Sequence, residues 1–305
     1  MIPDYLAKLL VELKQTLELI RDLDQRIITI YVGGGTPSIL NCEQMELLLS
    51  TINENADLSE LREFTFEMGR PDTVTYDKVK LAHDMGVTRI SINPQTLNDA
   101  VLETIGRAHT VEQFFNAYDI ARKAGIKCIN TDLIAGLPGE SASSFQKSVD
   151  TILKLKPENV TYHTFCVKKA ADILKEESDV YSPFNPTVGK CVDYAQVNAK
   201  NVGYVPYYMY RQKNTVGNYE NVGYSLPGYE GLYNVYMMEE IHSVFACGAG
   251  AVTKLVSPDR SAIKRVFMPK YPFEYLSDKV DEEQIQKNFE GFREFYDTYF
   301  NLDEK

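Results

Sequence analysis

The sequence has no Cys-x-x-Cys pair, no surplus of basic residues and no long apolar run, and each absence excludes a class of function. The 32 Lys and Arg stand against 43 Asp and Glu, giving a formal charge of −11 and a pI near 5.0. Binding to nucleic-acid phosphates needs clustered cations, so no such partner is expected. Docking on a membrane surface is disfavoured for the same reason. No apolar stretch approaches the roughly 20 residues needed to cross a bilayer. The N-terminal segment reads as a charged amphipathic helix, not a secretory signal. The five cysteines, Cys42, Cys128, Cys166, Cys191 and Cys247, are scattered and odd in number. That pattern fits a reducing compartment without a disulfide framework, and it offers no local metal-ligand set. Repeats, low-complexity tracts and long flexible linkers are missing too. The expectation is a cytoplasmic, monomeric enzyme. At 305 residues it is long enough for one barrel-like domain with an extension, or for two domains.

What is present begins with the stretch YVGGGTPSIL at 31–40. Three consecutive glycines cost backbone entropy, so something is expected to approach that backbone closely. The residues before them, Arg26 to Val32, are rich in β-branched and aromatic types, as in a buried strand. Leu6, Leu9, Leu10, Leu13, Leu17 and Ile20 recur at helical spacing and predict a helix over about 4–23. Strand and helix signals then alternate. Strands are predicted over 62–67, 87–93, 127–134 and 159–165, with helices over 43–54, 75–85, 98–104, 111–124 and 142–155. Such β–α repeats predict a parallel sheet with helical crossovers, as an open doubly wound sheet or a partial barrel. The series starts with a helix, which would ordinarily be the crossover from an earlier strand.

After about residue 166 the pattern changes. Helices over 168–178 and 187–201 lead into a segment at 204–236 rich in Tyr, Gly and Asn. A closing helix over 283–300 carries Ile285, Phe289, Phe292, Tyr296 and Tyr299 on one face. The expected division is a barrel at 1–166 and an α+β extension at 167–305 packed on it.

In parallel α/β folds, ligands gather outside the C-terminal ends of the strands. The strand exits carry Gly33, Gly34, Gly35 and Thr36, then Glu67, then Asn93 with Gln95, then Asp132; Arg107 follows in the segment after Gln95. Such a set suits a zwitterionic, ribose-bearing ligand. Glu67 would accept from an ammonium and Arg107 would hold a carboxylate as a fork. Gln95 and Asp132 would bond ribose hydroxyls, and the glycines leave no Cβ between backbone and ligand. A structural alternative stands beside each role: Gly33 to Gly35 as a tight strand-to-helix turn, and Glu67 or Asp132 as caps of the helices that follow. No Gly-Lys-Ser/Thr follows the glycines, so a Walker-type loop is excluded.

These stretches resemble the radical S-adenosylmethionine family of oxygen-independent coproporphyrinogen III oxidases, over nearly the whole chain. GGGTPS is similar to the family's GGGTP loop, which contacts the methionine amino group of the cofactor, and Glu67 stands where the family has its strand-end glutamate. RISINPQTLND resembles the run that places Gln95 on the ribose, and Arg107 in IGRAH matches the arginine near the methionyl carboxylate. DLIAGLPGES matches the segment that brings Asp132 to the other ribose contact. YSLPGYEGLYN and CGAGAVTK resemble two blocks of the C-terminal half, with Tyr233 before Asn234 where many members have His. EMGRPDTVT, VTYHTFCVKK and YRQKNTVGNYENVGY look most like the subgroup named coproporphyrinogen dehydrogenase. The resemblance implies an α/β fold: a partial (β/α)6 TIM-like radical-SAM barrel missing its first strand, with the α+β extension.

It also implies S-adenosyl-L-methionine as cofactor, a [4Fe–4S] cluster on a Cys-x-x-x-Cys-x-x-Cys loop, an electron donor, and coproporphyrinogen III as tetrapyrrole substrate. In the family, the reduced cluster cleaves the cofactor to a 5′-deoxyadenosyl radical, which takes a hydrogen from a propionate. Loss of carbon dioxide and an electron leaves a vinyl group, and two turnovers give protoporphyrinogen IX in haem biosynthesis. The 305 residues contain no such cysteine trio, and no metal ligand is assigned among them. A truncated, inactive member that keeps its cofactor cradle is therefore expected. The alternatives are a non-catalytic S-adenosylmethionine- or haem-binding module and an unrelated phosphate-binding (β/α) enzyme. His163, at a strand end, is the iron-ligand candidate under the haem reading, though a lone histidine is more often packed or hydrogen-bonded. His83 and His242 are expected in surface or capping roles, and Cys42 and Cys247 as buried or incidental thiols. The tyrosine-rich 204–236 segment suits either a porphyrin-sized cavity or ordinary packing.

Overall fold

A period of two along the strands and of 3.6 along the crossovers produces a layered α/β structure. The computed structural model describes residues 1–166, 186–213, 215–277 and 280–300. Its elements begin with α1 (Ile2–Asp22), β1 (Thr29–Val32), α2 (Cys42–Asn55), β2 (Glu63–Glu67), α3 (Tyr76–Asp84) and β3 (Arg89–Ser91). There follow α4 (Asp99–Thr104), α5 (Val111–Lys123), β4 (Cys128–Ala135), α6 (Ala142–Leu155) and β5 (Asn159–Thr164). These match the predicted elements, except that the strand expected over 87–93 contracts to three residues. Pro94 has no N–H to give the ladder, and beyond it β4 is met again only at the bridge of Gln95 with Leu133. The helix expected over 168–178 lies outside the described residues.

Then come α7 (Pro186–Asn201), β6 (Val205–Tyr210), β7 (Asn221–Ser225), α8 (Leu232–Glu239), β8 (Val252–Val256), β9 (Ile263–Phe267), α9 (Pro272–Tyr275) and α10 (Glu282–Tyr299). Seven strands form one sheet in the order β1-β2-β3-β4-β5-β7-β6, curled as a half-barrel. β2 to β5 run parallel. β7 and β6 extend the sheet antiparallel beyond β5. The Tyr- and Asn-rich segment, expected as part of an extension, thus supplies two strands of the barrel sheet itself.

Compact packing divides the chain into two discontinuous units. One comprises Met1–Ile30, Leu40–Arg62 and Glu239–Lys305, and the other Tyr31–Ile39 and Glu63–Met238. In the first, α1, the β8–β9 hairpin and α10 share a core in which Leu19 and Leu255 meet Ile285, Phe289, Phe292 and Tyr296. The spacing of those α10 residues is the predicted apolar stripe. Glu12 is buried in this unit, where its carboxylate accepts from the Tyr275 hydroxyl (2.5 Å) and the Gly248 N–H (3.1 Å).

The second unit holds most of the sheet. Phe64, Phe66, Ile90, Ile129, Leu133 and Val160 are fully buried against its helical layer. Strand alternation puts Glu63, Thr65 and Glu67 on the opposite face, with Arg89 and Ser91, Asn130 and Asp132, and Asn159, Thr161 and His163 on the strands beside them. Register sets Glu67 beside Ser91, Ser91 beside Asn130, and Asp132 beside Thr161. Barrel interiors are ordinarily filled by layers of branched apolar side chains. The inner face of this sheet is polar instead.

Candidate functional site at the strand exits

β1 leaves the sheet at Val32 and turns through the three glycines. Gly34 adopts φ +106°, a left-handed backbone that glycine takes without steric cost. Gly33 is small for another reason: a Cβ there would lie 2.4 Å from Cε1 of Tyr31 and 3.2 Å from Cδ of Glu67. Gly35 has neither a left-handed φ nor a neighbour within 4 Å of its absent side chain. Thr36 turns its hydroxyl onto the Gly35 carbonyl at 2.8 Å. The tight-turn alternative therefore explains Gly34 and internal packing explains Gly33, while nothing inside the fold calls for glycine at 35.

Glu67 closes β2. The Tyr31 hydroxyl donates to its Oε1 at 2.5 Å, and the Tyr31 ring stacks on Tyr233 of α8 at 4.3 Å and 20°. Burial lifts the Glu67 carboxyl above its ordinary pKa, the Tyr31 hydrogen bond pulls it down, and the nearby Asp132 charge adds to the rise. Burial and the Glu67 charge also raise Tyr31, which stays a hydroxyl donor. The capping alternative fails for both carboxylates, because α3 is capped by Thr75 and α6 by Ser141.

Gln95 is buried and held at φ +66°. A non-glycine residue there carries roughly 1–3 kcal/mol of strain, which persists only when surrounding structure enforces it. Here β4 does so: the Gln95 N–H donates to the Asp132 carbonyl (3.0 Å) and the Ile134 N–H donates back to the Gln95 carbonyl (2.9 Å). Asp132 Oδ1 accepts from Asn130 Nδ2 at 2.8 Å, and Oδ2 lies 3.5 Å from His163 Nε2. The other ring nitrogen of His163 is 3.2 Å from the Tyr210 hydroxyl. The Tyr208 and Tyr210 rings lie nearly parallel at 6.1 Å, and Tyr207 sits 4.8 Å from Tyr208. The Tyr208 ring occupies the space left by Gly223, whose Cβ would fall 1.9 Å from it.

Gly33, Glu67 and Gln95 are thus brought together where their strands leave the sheet, while Asp132, expected at a strand exit, lies inside β4 three residues before its end, because β4 runs on past its neighbour β3. Arg107 follows α4 and is exposed, with Arg70 and Asp72 as its charged neighbours. Desolvation, followed by the Arg70 charge, holds its pKa below the usual value, with Asp72 opposing. Sequence reasoning missed Tyr31, Asn130 and the pairing of Tyr233 with Tyr31, since each acts through strand register or through α8. Among the described residues, no three His, Cys, Asp or Glu side chains converge as metal ligands. No described helix is long and apolar enough to cross a membrane.

A curled, largely parallel sheet with polar groups gathered towards the C-terminal ends of its strands defines the class: a (β/α) half-barrel protein. Residues 4–152 match the Radical SAM superfamily model. The chain is 40% identical over 265 residues to the oxygen-independent coproporphyrinogen-III oxidase-like protein HemZ of Bacillus subtilis, covering 87% of this chain and 53% of that protein. It is 30% identical over 275 residues to the heme chaperone HemW of the same organism, covering 87% and 69%. In fold it matches coproporphyrinogen III oxidase (HemN) from Escherichia coli with a TM-score of 0.63 at 18% identity, covering 94% of this chain and 71% of that one. The chain belongs to the radical SAM superfamily, in its coproporphyrinogen III oxidase-like family. It spans 53% of the length of the HemZ protein and 57% of the heme chaperone HemW of Lactococcus lactis.

Proposed function

We propose that this chain binds S-adenosylmethionine at the strand exits and serves tetrapyrrole chemistry of the coproporphyrinogen III oxidase kind. The observation that carries this reading is the glycine loop flanked by two carboxylates, with Gly35 required by nothing inside the fold. The residues fit a sulfonium compound that carries an ammonium and ribose hydroxyls. Gly33, Gly34, Gly35 and Thr36 let the ligand lie against the backbone, and Glu67 accepts from its ammonium. Gln95 and Asp132 take the ribose hydroxyls, and Arg107 reaches the carboxylate from the rim. Bound and reduced by one electron, this cofactor supplies a 5′-deoxyadenosyl radical. In the family a [4Fe–4S] cluster supplies that electron, and the 305 residues contain no Cys-x-x-x-Cys-x-x-Cys to hold one. The reading for these 305 residues taken by themselves is cofactor binding without cleavage.

Of the activities named for the relatives, oxidase and heme chaperone, the interior favours the former. Both nitrogens of His163 already face partners, Asp132 and Tyr210, and the flat faces of Tyr207, Tyr208 and Tyr210 suit a macrocycle. Calorimetric titration with S-adenosylmethionine tests the binding. Wild type is expected to saturate, and Glu67→Gln and Asp132→Asn to weaken affinity about 10- to 100-fold, the worth of a charged hydrogen bond. No saturable binding by wild type overturns the reading. Formation of 5′-deoxyadenosine after anaerobic reconstitution with iron and sulfide overturns its non-cleaving part.

A further inference from the structure

We infer that Tyr31, braced by Tyr233, is a positioning residue that aims the Glu67 carboxylate at the ligand's ammonium; this rests on the proposed role of Glu67. Three independent features of the fold converge on that pair. Tyr31 donates to Glu67 Oε1 at 2.5 Å, which restrains the carboxylate through one of its oxygens. Gly33 provides the room, because any side chain there would collide with the Tyr31 ring and press on Glu67. Tyr233 covers the outer face of the Tyr31 ring.

The brace is itself anchored. Leu232, at the start of α8, donates its N–H to Glu63 Oε2 at 2.7 Å, and Glu63 opens the strand that Glu67 closes. The backbone of the preceding Tyr229 and Glu230 accepts from Arg89 at 2.9 and 3.1 Å. The entry of α8 is thereby tied to β2 and β3, and the next residue, Tyr233, is delivered onto Tyr31. The sequence feature that stands out here, Tyr233 ahead of Asn234, thus acquires a physical reason. Its flat ring stacks where an imidazole would cover less area.

The groups facing Glu67 are Tyr31 from β1, Asp132 from β4 and Tyr233 from α8. Burial and Asp132 oppose its ionisation, and the Tyr31 hydroxyl favours it. Removing that hydroxyl leaves only the opposing influences, so Glu67 will hold its proton to higher pH. An ammonium is bound by the ionised carboxylate, so the acid limb of ligand affinity moves up with it.

The test is a carboxyl 13C NMR titration of Glu67 in the ligand-free chain, assigned with Glu67→Gln, run beside S-adenosylmethionine affinity as a function of pH. Tyr31→Phe is expected to raise the Glu67 midpoint by about one pH unit, the effect of losing one hydrogen bond to the charged form. Tyr233→Ala is expected to move it in the same direction by less, and Tyr233→Phe, which keeps the stacked ring, to restore it. An unchanged midpoint in both Tyr31→Phe and Tyr233→Ala overturns the inference. A midpoint that moves in a protein showing no cofactor binding upholds the pair's control of Glu67 and overturns the assigned ligand instead.

Discussion

His163 sits between an acceptor and a phenol: its Nε2 is 3.5 Å from Asp132 Oδ2 and its Nδ1 is 3.2 Å from the Tyr210 hydroxyl. An axial ligand to haem iron must present a free imidazole nitrogen. Here either nitrogen would first have to leave its partner, and the ring is further hemmed by Tyr210 at 6.2 Å in an edge-on arrangement. Titration with haem is therefore expected to give the same Soret response in wild type and in His163→Ala. A Soret shift present in wild type and lost in the variant would make His163 a ligand and restore the haem-binding alternative.

Arg89 and Glu63 form a buried pair at the entry ends of β3 and β2, 3.5 Å apart. Arg89 also donates to the Asn159 carboxamide and to the carbonyls of Tyr229 and Glu230. Removing one member strands the rest in a poorly solvated place, which typically costs about 3–5 kcal/mol. Arg89→Met is thus expected to lower the urea midpoint substantially, followed by near-ultraviolet circular dichroism of the tyrosines. The double variant Arg89→Met with Glu63→Gln should recover part of that loss, since no unpaired charge remains. A single variant as stable as wild type would mean that the 229–232 segment is held by something else.

Periodicity was enough to reveal the parallel strands and their crossovers, because each strand is buried on one face and each helix carries one apolar stripe. Glu67 was legible for a related reason: a carboxylate ending a buried strand has no structural cause unless it caps a helix, and Thr75 holds that cap. β6 and β7 were not legible. Pro206 and a register shift between Pro206 and Tyr208 break the alternation of β6, and Gly223 in β7 serves a ring on the other strand. The left-handed backbone of Gln95 was equally hidden, since nothing in a glutamine announces it. Tyr31 looked like one more strand residue. Its role depends on where β2 lies beside β1, and that is decided by the whole sheet.

The three glycines, read from the sequence as one feature, are expected to separate on substitution. Gly34→Ala forces a side chain onto φ +106° and should destabilise the protein by more than about 1 kcal/mol. Gly33→Ala drives a Cβ into the Tyr31 ring, so it should disturb Glu67 much as Tyr31→Phe does. Gly35→Ala meets nothing within 4 Å and should leave stability within about 0.5 kcal/mol of wild type. If a ligand lies against that backbone, the same methyl group stands in its way and S-adenosylmethionine affinity falls at least tenfold. Thermal unfolding and calorimetric titration of the three variants separate the causes. Should Gly35→Ala bind as wild type does, the loop is a turn with one unexplained glycine, and the ligand must be held from the carboxylates alone.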